Sequence, residues 1–177
     1  ALDGAVSRID QVSAERDIRR NTGLAELDRV LGGGVVDGSV ILLSGDPGIG
    51  KSTLLLQITE TLCRSRTVLY ITGEESPRQI KMRAERLGIN SEQLYVAAIT
   101  DIEQVLGAIE RVQPGIVMID SIQTMNFSAL TSSSGSVTQV RECANLLIRS
   151  AKSSEIPIFL VGHVNKDGGI AGPKVLE

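Results

Sequence analysis

The chain has 177 residues, 42% apolar and 22% charged, with a formal charge of −3. That usage is ordinary for globular proteins and excludes a disordered tail or a collagen-like repeat, and the length sets an expectation of one domain over residues 1–177. Aromatic residues are limited to Tyr70, Tyr95, Phe127 and Phe159, with no Trp, so a core must be aliphatic, as in parallel strands buried between helices.

In chain order, residues 39–44 (SVILLS) read as a buried strand and 51–63 as the helix after it. Residues 67–72 (TVLYIT) form a second strand, and 77–87 a charged amphipathic helix with Pro77 in its first turn, where a missing N–H costs nothing. A short strand at 94–98 precedes a helix capped by Asp101 and running to about residue 112. Residues 116–120 (IVMID) are a strand, 136–152 a helix and 157–162 (PIFLVG) a further strand. This alternation predicts an α/β fold with a mainly parallel sheet covered by helices on both faces. Two stretches break the rhythm and read as loops: the Ser-rich 126–136 (NFSALTSSSGS), expected to be mobile, and the Gly-containing 165–177.

No apolar run approaches the ~18 residues of a membrane span, and the polar, mixed-charge start is no signal peptide. Cys63 and Cys143 belong to no C-x-x-C pair, so they read as buried thiols in a reducing compartment, and the expected location is cytoplasmic.

Gly45-Asp46-Pro47-Gly48-Ile49-Gly50-Lys51-Ser52 is a complete G-x-x-x-x-G-K-[ST] loop between a strand and a helix. Gly45, Gly48 and Gly50 let successive backbone N–H groups turn toward phosphate oxygens, and the helix adds its positive end. Lys51 would charge-pair the β- and γ-phosphates of ATP, Ser52 would give a hydroxyl to Mg²⁺, and Thr53 follows them in the first helical turn. Asp120, closing an apolar strand, is the candidate second metal partner. Glu74 and Glu75 follow the strand ending at Thr72, with Gly73 allowing the chain to turn. Glu74 is the candidate base and Glu75 its supporting carboxylate, although an acidic start to the next helix explains the same pair. His163, the single histidine, follows another strand and is either a γ-phosphate-sensing donor or a structural group.

The strings LSGDPGIGKSTLLLQ, YITGEES, QIKMRAERLG, DSIQTM, GSVTQVRECA and LVGHVNKDGGIAGPKVLE together resemble the bacterial RadA (Sms) family of RecA-like P-loop ATPases. The resemblance implies a DNA-dependent ATPase core that acts in recombinational repair as a branch-migration helicase. It also implies single-stranded or branched DNA, the RecA recombinase and self-association into a ring, expected to be a hexamer, as partners. Under it Lys51 and Ser52 are the Walker A pair, Asp120 the Walker B acid, Glu74 the catalytic glutamate and His163 the sensor. The strand ending at His163 is then expected between the P-loop strand and the Asp120 strand. Residues 126–136 and 165–174 fall where RecA-like proteins contact DNA, with Lys166 and Lys174 available to phosphates and Phe127 to a base. A solvated surface explains these residues equally well, as it does Arg141, Arg149 and Lys152 on the helix after the first loop. Family members also carry a four-cysteine zinc finger, a K-N-R-F-G motif and a Lon-protease-like domain, none of them within these residues. The chain is therefore expected to be a fragment that binds nucleotide and hydrolyses it slowly. KaiC-like proteins supply the alternative, a nucleotide-gated regulatory or assembly module.

Overall fold

The computed structural model describes residues 8–11, 18–45 and 50–163. After a short 3₁₀ turn at Ile9–Gln11, strand β1 (Arg19–Arg20), helix α1 (Ala25–Val30) and strand β2 (Val35–Val36) make a small antiparallel entry piece. Its turns are built by side chains that mimic backbone acceptors. Asn21 Oδ1 accepts from the Gly23 N–H (2.6 Å), and the buried Asp28 accepts from the Thr22 N–H (2.8 Å).

Strand β3 (Val40–Gly45), helix α2 (Lys51–Leu62), β4 (Val68–Thr72), α3 (Pro77–Arg86), β5 (Leu94–Ala98), α4 (Ile102–Val112), β6 (Ile116–Asp120), a 3₁₀ turn at Ile122–Thr124, α5 (Val137–Ser154) and β7 (Ile158–His163) complete the order. The five longer strands form one parallel sheet in the order β3-β7-β6-β4-β5. This is the α/β parallel-sheet fold that the alternation predicts, of the RecA-like P-loop kind that the resemblance implies, and β7 does lie between β3 and β6.

Period-two alternation sorts each central strand's side chains onto two faces. From β4, Leu69 and Ile71 join Val105 and Ile109 of α4 and Val140 and Leu147 of α5 on one face. Val68 and Tyr70 join Leu55, Ile58 and Leu62 of α2 and Ile80 of α3 on the other. The two wholly buried aromatic rings, Tyr70 and Phe159, both lie on this second face. Every residue of β4 and β6 is buried, which explains why these strands read as unbroken apolar runs. Helix starts follow the caps in the sequence: Asp101 accepts from the Glu103 and Gln104 N–H groups. At α3 the cap is Ser76, in a reciprocal box with Gln79. The acidic pair Glu74–Glu75 is therefore not the cap of that helix.

The segment 126–136 is tied down, against the expectation of a mobile loop. The amide of Gln139, 2% exposed on α5, accepts from the Phe127 N–H (2.8 Å) and donates to the Phe127 and Ser132 carbonyls (3.4 and 2.8 Å). Asn126 adds a bridge to the start of α4, with Ile102 N–H on its carbonyl at 2.8 Å. Phe127 packs half-buried against the α4–α5 core and is not a free ring for stacking on a base. Composition signals a lack of apolar anchor here, but the anchor is a polar amide contributed from outside the segment.

Among the described residues no helix is long and apolar enough to cross a membrane. Both cysteines are buried free thiols, and Cys143 is pushed up to about 11 by burial and by Asp101 and Glu142 nearby.

Candidate functional site

Parallel strands all end at one edge of the sheet, so the residues that terminate β3, β4, β6 and β7 are neighbours in space however distant in sequence. Register fixes the pairs: Gly45 lies opposite His163, and Thr72 opposite Asp120.

Gly50 caps α2 with φ +88°, and a Cβ there would meet nothing within 4 Å. Its requirement for glycine is thus conformational, the left-handed turn that starts the helix. Directly after it, Lys51 is 7% exposed and its ammonium donates to the Gly45 carbonyl. Helix α2 has no side-chain cap, so its first turn presents backbone N–H groups at the mouth of the site. Asp46, Pro47, Gly48 and Ile49, the rest of the predicted phosphate loop, lie outside the described residues.

Ser52 Oγ donates to Asp120 Oδ2, and Tyr70 OH donates to the same oxygen at 3.1 Å. A hydroxyl from the head of α2 and a carboxylate from the end of β6 thus meet, as a shared divalent ion requires. Both are hard oxygen donors, the type that suits Mg²⁺, so the residues present fit that metal. Among the described residues no cluster of three or more His, Cys, Asp or Glu side chains forms a metal cage. Tyr70 is held far above the usual phenol range, first by burial and then by the Asp120 charge, so its hydroxyl serves as a donor.

Glu74 and Glu75 part company. Glu74 is 65% exposed and sits 4.0 Å from His163 Nε2, facing the mouth of the site. Glu75 pairs with Arg83 of α3 at 2.7 Å, and its N–H is held by Thr72 Oγ1 at 3.0 Å. It does not support Glu74, because a guanidinium within reach outcompetes a second carboxylate for it. Gly73 does stand at a bend of the chain. It has no positive φ, and a Cβ there would stand 1.9 Å from Thr124 Oγ1, so glycine is needed for close approach.

The backbone of His163 is clasped by Gln123, whose amide accepts from its N–H and donates to its carbonyl, both at 3.3 Å. His163 Nδ1 is buried without a hydrogen bond among the described residues. A pocket of about 280 Å³ is lined by Gly50, Lys51, Ser52, Thr53, Arg83 and His163. It brings the Walker residues and His163 together with Arg83, a cation that the sequence reading passed over. Tyr70, Arg83 and Gln123 were all missed. A tyrosine at an inward position of an aliphatic strand, one strand from Asp120, is the one signal that could have been read. Lys166 and Lys174 lie outside the described residues.

A family model described as AAA domain matches residues 6–169. The chain is 54% identical over 172 residues to DNA repair protein RadA of Bacillus subtilis (strain 168), covering 97% of this chain and 38% of that protein. It is 55% identical over 170 residues to the RadA of Listeria monocytogenes, covering 96% and 37%, and 52% identical over 177 residues to that of Mycobacterium tuberculosis, covering 98% and 37%. It thus spans about 38% of the length of the curated relatives it matches. On these matches the chain belongs to the AAA domain family, as a RadA-like ATPase region.

Proposed function

We propose that the chain is the ATP-binding and hydrolysing core of a DNA-dependent ATPase acting in recombinational DNA repair, a branch-migration motor of the RadA type. One observation carries the reading: Ser52 at the head of α2 meets Asp120 at the end of β6, beside a buried lysine, on the edge where Glu74 and His163 face each other. Single-stranded or branched DNA, the RecA recombinase and further copies of the chain in a hexameric ring are the partners this reading includes, in the cytoplasm.

Mg²⁺, when bound with ATP, supplies positive charge that neutralises the β- and γ-phosphate oxygens. Ser52 and Asp120 would hold it. Lys51 leaves the Gly45 carbonyl for the phosphates, an exchange of one oxygen acceptor for a more strongly charged one. Glu74 accepts a proton from the water whose oxygen attacks the γ-phosphorus, while the bond from that phosphorus to the ADP oxygen breaks. Exposure suits Glu74 to this, since a carboxylate at the mouth reaches bulk water and can return its proton there. His163 lies between Glu74 and the β3 edge, where a donor meets the γ-phosphate, and Gln123 keeps its backbone in place.

ATP hydrolysis by the full-length protein with and without single-stranded DNA is the test, with Lys51→Ala as the control. The expected result is DNA-stimulated turnover that the Lys51 variant loses along with phosphate-dependent binding. Turnover indifferent to DNA, or unaffected by the loss of Lys51, overturns the reading.

A further inference from the structure

We infer that Tyr70 is a positioning residue for the metal site, the fixed donor that keeps Asp120 aimed however Ser52 turns toward the ion; this rests on the nucleotide-site reading above. Two hydroxyls share a single carboxylate oxygen, Asp120 Oδ2: Ser52 Oγ and Tyr70 OH, the latter at 3.1 Å. Their situations differ. Ser52 stands at the partly open head of α2 on the wall of the nucleotide pocket, and its short side chain can rotate its oxygen away. Tyr70 is wholly buried in the sheet's second face, with its ring among the aliphatic side chains of α2 and α3. Such a ring has no rotamer to move to in a close-packed interior.

The consequence follows from counting donors. A metal takes one lone pair of Ser52 Oγ and leaves its O–H able to donate, but that hydroxyl must then follow the ion as well as Asp120. The donor to Asp120 that stays fixed in the close-packed interior is Tyr70. Outer partners of this kind orient a metal ligand without touching the metal, and their loss costs about 10–100-fold in metal affinity. Tyr70 is not among the residues that line the pocket beside Lys51 and Ser52, so its route to the metal site is through Asp120.

Tyr70→Phe tests this, because it removes one oxygen and leaves the ring in its aliphatic bed. Calorimetric titration of the full-length protein with a non-hydrolysable ATP analogue, in Mg²⁺ and separately in EDTA, gives the ratio of the two affinities. The ratio is expected to fall by about 10–100-fold in the variant, with half-saturating Mg²⁺ rising in step. An unchanged ratio, including one in which both affinities fall equally through loosened packing, overturns the inference. Lys51→Ala in the same titration separates the two readings. If that variant binds the analogue as the parent does, the nucleotide-site reading fails; if it loses binding while Tyr70→Phe keeps its metal ratio, only the role of Tyr70 fails.

Discussion

Two connections leave neighbouring strands at the same sheet edge and are built in opposite ways. The one after β4, residues 73–76, is short and holds its acidic residues in two environments, Glu74 65% exposed and Glu75 locked to Arg83. The one after β6, residues 121–136, is long and polar, yet it is bound at each end. Thr124 Oγ1 closes its first turn onto the Ser121 carbonyl (2.7 Å), and Gln139 holds Phe127 and Ser132. They meet where Gly73 passes Thr124. The short connection exposes a carboxylate, whereas the long one spends its polar groups on itself and packs against its neighbour. Length and polarity alone would have assigned the roles the other way round.

The sharpest way to break this contrast is Glu74→Gln. The amide keeps the size and cannot take a proton, so turnover should drop by about 10²–10⁴-fold with nucleotide affinity retained. Steady-state ATPase rates beside analogue binding measure both. A variant that turns over at the parent rate would strip the short connection of its chemical part.

Next in size is Gly73→Ala, which tests whether the two connections lean on each other. An added Cβ meets Thr124 Oγ1 at 1.9 Å and Thr124 Cβ at 2.5 Å, so the Ser121–Thr124 turn has to shift. Overpacking of this kind costs about 1–3 kcal/mol, read as a lower midpoint in denaturant unfolding. Adding Thr124→Ala removes the nearest oxygen and should recover part of the loss, a non-additivity expected only for residues in contact. Full additivity would separate the connections.

The strands, the helices and the end-of-strand positions of Asp120 and His163 were legible because burial on both faces leaves an unbroken apolar signal, and a parallel sheet gathers its strand ends on one side. What was not legible depends on partners supplied from other elements. Glu75 looked like a helper for Glu74 until α3 brought Arg83 to it, and Gly73 read as a turn residue with nothing to announce the close approach of Thr124. The entry strands Arg19–Arg20 and Val35–Val36 are two residues each, too short to carry a period. Tyr70 read as one more apolar residue of β4, although a tyrosine among aliphatic neighbours signals a buried hydroxyl that needs a partner.

Residues 126–136 show the same limit, and they give the smallest effect. Their composition argues for mobility, since serines bury little surface, and that argument fails through one side chain in the first turn of α5. Gln139 is 2% exposed and closes three hydrogen bonds to this segment. Gln139→Leu keeps the approximate volume but strands the Phe127 N–H and the Ser132 carbonyl, while the Phe127 carbonyl keeps the Leu130 N–H, which should cost about 1–3 kcal/mol. Amide exchange should rise first across residues 127–132, before any global unfolding. Ser128→Ala is the reference, because Ser128 only reaches Glu103 at 3.4 Å across an exposed surface; it should change stability by less than about 0.5 kcal/mol. If both variants behave alike, the amide is not what holds the long connection. If only Gln139→Leu loosens it while ATP turnover persists, the long connection is a scaffold whose order can be removed separately from the chemistry beside it.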